Sequence, residues 1–195
     1  GDVNVAASSP TLSLSANNDP TERWLGRRSD QGSCGTSHFD GNLSEIIIVR
    51  SAVSVEEDKK IQSYLGIKYG LTAPSSIVNY LASDGVTNLW TFTSHWNDVA
   101  GIGQDDGSLL HQRIGKSQHP TGIVTMSTEA ADFTSVNDGN RLPMGDGNFL
   151  VWGNNNTPAT AAWAVGSAPV DYAILPEIWR VKKTGTSHPA MHLQV

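Results

Sequence analysis

Apolar residues occur along this chain in short runs that turn-forming residues separate, a pattern typical of β-strands. Residues 3–16 alternate weakly between apolar and polar, and residues 42–50 carry a continuous β-branched centre that predicts a strand covered on both faces. From residue 71 onward, turn signals such as Asp146-Gly147 divide the chain into further strands. We expect these strands at residues 77–82, 87–92, 109–114, 122–127, 148–152, 171–174, 177–183 and 190–195.

A helix is predicted over residues 55–69, because local signals mark both of its ends. Ser54 and Glu57 have the spacing of a capping box, in which each side chain bonds the backbone N–H of the other residue. Gly70 is the residue type that most often follows the last turn of a helix. The predicted fold class is therefore mainly β: an antiparallel, jelly-roll-like β-sandwich with one substantial helix.

The composition of the chain argues against several classes of partner and of structure. The chain has 13 Lys and Arg against 19 Asp and Glu, and this net charge of −6 argues against nucleic acid as a partner. The longest aliphatic run, residues 46–49, is far too short to cross a bilayer, so we expect no membrane insertion. Cys34 is the single cysteine, which predicts no internal disulfide. Because the chain begins at Gly1 and stops in a strand-like run, we expect it to be a piece of a larger protein.

Two sets of motifs carry a resemblance to modules of bacterial surface proteins. The sequence FDGNLSEIIIV at residues 39–49, followed by YLGIKYGLT at 64–72, resembles the closing strand and helix of a LamG-like (concanavalin A-like) jelly roll. The sequences NYLASDG at 79–85, NDVAGIGQDD at 97–106 and FLVWGN at 149–154 resemble an uncharacterised β domain that follows such modules in large adhesins. The resemblance implies an extracellular, cell-surface protein that functions in cell adhesion.

The resemblance also implies a division of the chain into two parts, which can pack as one unit. Residues 1–72 form a partial LamG-like segment that ends in the helix, and residues 73–195 form the adhesin-associated β domain. The first part is about half as long as a complete jelly roll, and this shortness fits a split domain completed by a neighbouring module of the same chain. Gln104 occupies a position where relatives tend to carry Arg, so the resemblance implies no anion contact there.

Catalysis finds little support in the residues. No nucleophile elbow of the GxSxG type and no HExxH zinc helix is present, and no catalytic residue is predicted. Glycoside hydrolysis is the enzymatic alternative, because concanavalin A-like sandwiches host glucanases with paired carboxylates. The strand pattern that carries such a pair is absent, and Glu45 stands alone among isoleucines.

Calcium is the cofactor that the sequence favours, because Gly-rich loops with Asp and Asn supply the oxygen ligands that this ion prefers. The strongest candidate is the loop from Asn97 to Gly107, in which Asp98, Asp105 and Asp106 would repel one another without a cation. The alternative interpretation of the weaker loops is that Asp-Gly pairs simply form hairpin turns. The weaker candidate ligands are Asp138, Asn140 and Asp146.

Aromatic side chains suggest where a ligand could bind. Trp90, Trp152 and Trp179 lie inside strand-like runs and are expected in the core. The residues expected to contact a ligand lie in polar segments instead: Trp96, Asn97 and Trp163. We therefore expect a non-catalytic adhesin module that binds a glycan or peptide, with a polysaccharide-active hydrolase and a pure structural spacer as the alternatives.

Overall fold

A computed structural model describes residues 40–73, 79–129, 141–157 and 177–195, together with 133–134, 137, 139, 162–163 and 173–174. The strands predicted over residues 3–16 lie outside the described residues. Val53–Val195 belong to one compact unit, and the described residues 40–52 belong to a second. No helix in the described part of the chain is long and apolar enough to span a membrane.

Helix α1, Val55–Tyr69, confirms the helix prediction with both of its end signals. The Ser54 backbone N–H donates to Glu57 Oε2 at 2.8 Å, and the Glu57 backbone N–H donates to Ser54 Oγ at 3.2 Å. The hydrogen bond that the Ser54 backbone donates to the Glu57 carboxylate is the main cause that lowers the pKa of Glu57. At the other end, Gly70 adopts a left-handed conformation with φ of 64° and donates its N–H to the Gly66 carbonyl.

Replacing Ser54 with alanine should destabilise the protein by about 1 kcal/mol, because the N–H of Glu57 loses its acceptor at the start of the helix. Thermal unfolding followed by circular dichroism measures this change. The matched control is Ser51→Ala, since Ser51 is an exposed serine that precedes the helix. Equal melting temperatures for the two variants would contradict a stabilising role for the cap.

The described strands form antiparallel sheets, which confirms the mainly β class. A four-stranded sheet has the order β10-β7-β3-β4, and a three-stranded sheet has the order β11-β6-β5. The hairpin β1-β2 and the pair β8-β9 form two smaller sheets. A short 3₁₀-helix, Thr93–His95, precedes β3. The strands are β1 Tyr80–Leu81, β2 Asn88–Trp90, β3 Asn97–Asp105, β4 Leu110–Gln112, β5 Ile114–Lys116, β6 Thr125–Ser127, β7 Phe149–Asn154, β8 Ala162–Trp163, β9 Ala173–Ile174, β10 Trp179–Thr184 and β11 His192–Gln194.

The four-stranded sheet is covered on both faces. On one face, Val99, Phe149 and Val151 pack with Ile67 of α1 and with buried side chains of the β1-β2 hairpin. On the other face, Ala100, Ile102 and Trp152 pack with Met126 of the three-stranded sheet. Burial on two faces explains why the sequences of β3 and β7 contain almost continuous apolar or small residues. Helix α1, the four-stranded sheet and the three-stranded sheet thus form three successive layers. The two sheets make an antiparallel sandwich.

The two sheets lie very close together where a glycine of one faces a glycine of the other. A Cβ atom on Gly115 of β5 would lie 2.5 Å from the carbonyl oxygen of Gly101 in β3. No side chain fits in that space, so Gly115 lets the backbone of one sheet lie against the backbone of the other.

Two parts of the strand prediction are wrong. Residues 42–50 form no regular strand, and their apolar side chains are exposed, with Ile48 83% accessible. Their β-branched side chains favour an extended backbone, but no described strand supplies the hydrogen-bonding partner that a ladder requires. Conversely, residues 97–105 were predicted as a calcium-binding loop and instead form β3, the longest described strand.

Candidate functional site

An irregularity at the start of β3 carries the candidate site. Asn97 pairs with Asn154 of β7, whereas Ala100 pairs with Trp152, so β3 has one extra residue in this stretch. Asp98 lies in this bulge with φ of 50°, a left-handed conformation that aspartate tolerates better than most residues. The bulge turns the Asp98 side chain into the protein, where it has no accessible surface.

The buried Asp98 carboxylate is held by side chains from two other segments. Its Oδ2 accepts hydrogen bonds from Thr121 Oγ1 at 2.7 Å and from Asn154 Nδ2 at 2.6 Å. Its Oδ1 lies 2.9 Å from His119 Nδ1. That contact is not aligned as a hydrogen bond, so Oδ1 is a buried acceptor without a hydrogen-bond donor among the described residues. One oxygen of the carboxylate is therefore satisfied, and the other has only the imidazole beside it.

A tight turn presents His119 and Thr121 to Asp98. The Gly122 N–H donates to the His119 carbonyl at 2.9 Å, and Pro120 occupies the second position of this turn, where its fixed φ is favourable. His119 Nδ1 also lies 2.7 Å from Thr121 Oγ1. The Thr121 backbone N–H donates to the same Nδ1 at 3.4 Å, so both the backbone and the hydroxyl of Thr121 hold the imidazole in place. The His119 side chain is 49% exposed.

Asn154, at the end of β7, connects the carboxylates of Asp98 and Glu177. Its Nδ2 donates to Asp98 Oδ2 at 2.6 Å and to Glu177 Oε1 at 2.5 Å. Its Oδ1 accepts from Asn97 Nδ2 at 3.0 Å and from the backbone N–H of Asn156 at 2.9 Å. The nitrogen of this buried amide donates two hydrogen bonds, and its oxygen accepts two. Only asparagine therefore supplies both the donors to the acids and the acceptor for the neighbouring strand.

We call Asp98, His119, Thr121, Asn154 and Glu177 the bulge network. Asp98 and Asn154 are buried, Glu177 is half-buried, and His119 and Thr121 are exposed at the protein surface. Trp96 precedes this network in the chain by two residues and has a 41% exposed side chain. Of the predicted ligand-binding residues, Asn97 contacts the network, because its Nδ2 donates to Asn154 Oδ1.

The three aspartates predicted to share calcium do not come together. Asp98 is the second residue of β3, and Asp105 is its last residue. Seven residues of extended strand separate their Cα atoms by about 23 Å. Asp105 is buried and accepts from the backbone N–H and hydroxyl of Ser83, so it ties the β1-β2 hairpin to β3. No group of three or more His, Cys, Asp or Glu side chains within the described part of the chain is placed to hold a metal ion.

Two of the remaining predicted metal ligands, Asp106 and Asp146, are neighbours in the structure. Asp106 is exposed, and its backbone N–H donates to Asp146 Oδ1 at 2.9 Å in the neighbouring turn. Asp138, Asn140 and the Trp163 side chain lie outside the described residues. Among the tryptophans expected in the core, Trp90 and Trp152 are fully buried, and Trp179 is partly buried against the second core cluster.

Sequence reasoning missed four members of the bulge network: His119, Thr121, Asn154 and Glu177. The signal that could have identified the turn is the His-Pro-Thr-Gly sequence, in which short polar side chains flank a proline. Asn154 and Glu177 lie 56 and 79 residues from Asp98 along the chain, and no local pattern joins them.

Comparison with known proteins identifies one family. Residues 57–195 match the model of a family described as "Domain of unknown function (DUF8202)". The match begins in α1 and includes every strand described above. No curated protein and no solved structure matches the chain.

Proposed function

The chain belongs to the DUF8202 family, and we propose that it is a non-catalytic, ligand-binding module of a large bacterial cell-surface adhesin, with a glycan as its ligand. The observation that carries this proposal is the bulge network, which fixes polar groups at the protein surface, and the exposed Trp96 lies two residues before Asp98 in the chain. A pyranose ring binds to such a combination, because its apolar face stacks on an indole while its hydroxyl groups bond to fixed polar atoms.

The rigidity of the network favours binding. Asp98 fixes the turn that carries His119, and Asn154 fixes Glu177, so the exposed polar atoms of both residues are held in place before a ligand arrives. A site that is ordered in advance loses less conformational entropy on binding than a mobile one. The strained conformation of Asp98 also fits a functional position, since such strain concentrates at binding sites.

The same geometry disfavours the hydrolase alternative. Asp98 and Glu177 are two neighbouring carboxylates, as glycosidases require, but Asn154 occupies the space between them. Asp98 has no accessible surface, so a substrate cannot reach its carboxylate. A general acid or nucleophile must contact the glycosidic bond, and this pair does not meet that condition.

The proposed extracellular localisation rests on the resemblance to LamG-like and adhesin modules. The proposed structural partners are neighbouring modules of the same chain. Calcium is not part of the proposed binding site, because Asp98 lies far from Asp105 and Asp106 along β3. A peptide ligand and a purely structural spacer remain as outcomes that the next experiment distinguishes.

Replacing Trp96 with alanine should weaken glycan binding about fivefold or more, because an aromatic platform contributes on the order of 1 kcal/mol or more to a small interface. Glycan and peptide arrays, followed by titration calorimetry on the strongest ligand, measure the effect. Leu109→Ala is the matched control, since Leu109 is an exposed apolar residue in the turn that joins the opposite end of β3 to β4.

Binding of peptides alone would contradict the choice of a glycan, and binding of neither class would identify a spacer. Release of reducing ends from the bound glycans would identify the hydrolase instead. A Trp96→Ala variant that binds as tightly as the wild type would place the ligand elsewhere on the domain.

A further inference from the structure

The hydrogen-bonding atoms beneath the proposed site are mostly acceptors. Glu177 uses Oε1 to accept from Asn154, and its Oε2 lies outside that hydrogen bond. Asp98 Oδ1 is buried and has no hydrogen-bond donor among the described residues. Carboxylate oxygens only accept hydrogen bonds when ionised, so a ligand group that bonds to the half-buried Glu177 must donate, whereas the fully buried Asp98 contributes only its charge.

The two carboxylates also give this end of the sheet a negative potential. Their oxygens contact the same Asn154 nitrogen, at 2.6 and 2.5 Å, which places two like charges side by side. The adjacent imidazole of His119 is already in contact with Asp98, so any positive charge on it is offset by that carboxylate. An anionic ligand would meet repulsion here, since like-charge juxtaposition opposes binding.

The nearest basic residue of β10 is turned away from the network. The Arg180 guanidinium lies 4.5 Å from the centre of the Phe92 ring, and Phe92 packs on the core that faces α1. Trp179, the preceding residue, packs instead in the core between the two sheets. Alternation along the strand thus directs Arg180 to the opposite face of the sheet from Asp98 and Asn154.

We infer that the ligand of this site is a saccharide that presents hydroxyl or amino groups, and that the site discriminates against saccharides with carboxylate or sulfate groups. This inference rests on the proposed function, because it names the ligand class of the same site. The discrimination comes from the half-buried Glu177, whose carboxylate accepts from ligand donors and repels anions, and the buried Asp98 adds its negative charge beneath it.

The test compares oligosaccharides that share one ring configuration and differ in one substituent: a neutral hexose series, the corresponding amino sugar and the corresponding uronic acid. Dissociation constants are measured by titration calorimetry at low ionic strength, where electrostatic repulsion is least screened. We expect the uronic acid series to bind at least about tenfold more weakly than the neutral series.

Glu177→Gln keeps an oxygen that accepts from Asn154 and removes the charge, so the penalty on uronic acids should shrink severalfold. Glu56→Gln is the control, because it makes the same change of net charge on an exposed residue of α1. Melting curves establish that both variants are folded.

The outcomes separate the two proposals. If uronic or sulfated saccharides bind as tightly as neutral ones, the ligand is still a glycan and the inference about its class is wrong. A similar recovery of uronic acid binding in both glutamine variants would likewise overturn the role of Glu177. If no saccharide of any class binds, the proposed function itself fails.

Discussion

Asn154→Asp should destabilise the protein by about 4 kcal/mol, because it replaces the shared donor of two carboxylates with a third carboxylate. The Asn154 side chain is fully buried, so neither water nor salt screens the new repulsion effectively. A loss of this size is a large fraction of the total stability of a typical domain. Chemical denaturation of the wild type and the variant measures the difference.

The effect of the substitution should depend on pH in a defined direction. Protonation of the introduced carboxyl removes the repulsion and restores a donor, so the deficit should be largest at neutral pH and shrink as the pH falls. Asn156→Asp is the matched control, since Asn156 is exposed and engages the network through its backbone N–H. A deficit of equal size in both variants, or one that does not change with pH, would contradict the role of Asn154 as a buried bridge.

The sequence predicted the helix well because its determinants are local. Ser54, Glu57 and Gly70 lie within one turn of the helix ends, and their hydrogen bonds form between neighbours along the chain. The short strands between turn signals were predicted for the same reason. Their existence depends on turn chemistry that can be identified residue by residue.

The central strand could not be predicted in this way. Residues 97–105 contain two glycines and four acidic or amide residues within a short stretch, which is the composition of a loop. They form β3 because β7 and β4 pair with them on both sides and apolar side chains cover both faces. The opposite error at residues 42–50 has the same cause, since β propensity without a pairing strand does not make a ladder.

Only the part of the site that is contiguous in sequence was predicted. Trp96, Asn97 and Asp98 follow one another, and their types pointed to a ligand or an ion. The role of Asp98 was different from the predicted one, because its partners are Thr121 and Asn154 instead of neighbouring aspartates. Asp98 was expected to bind a metal, but it is buried and supports a polar network instead. The burial of a side chain depends on the whole fold.

Gly70→Ala should destabilise the protein by about 3 kcal/mol, from two separate causes. An L-residue with a side chain is strained at the φ of 64° that Gly70 adopts. In addition, a Cβ atom there would lie 1.9 Å from the backbone carbonyl oxygen of Lys116, at the end of β5. Backbone cannot rotate away as a side chain can, so the end of α1 would have to separate from the second sheet.

Gly147→Ala separates the two causes. Gly147 has a similar φ of 70°, but a Cβ atom there would have no other atom within 4 Å. Its replacement should therefore cost only the conformational strain, about 1 kcal/mol. The difference between the two variants, measured by chemical denaturation, gives the contribution of the contact between the end of α1 and β5. Equal losses would mean that this contact is loose enough to admit a methyl group.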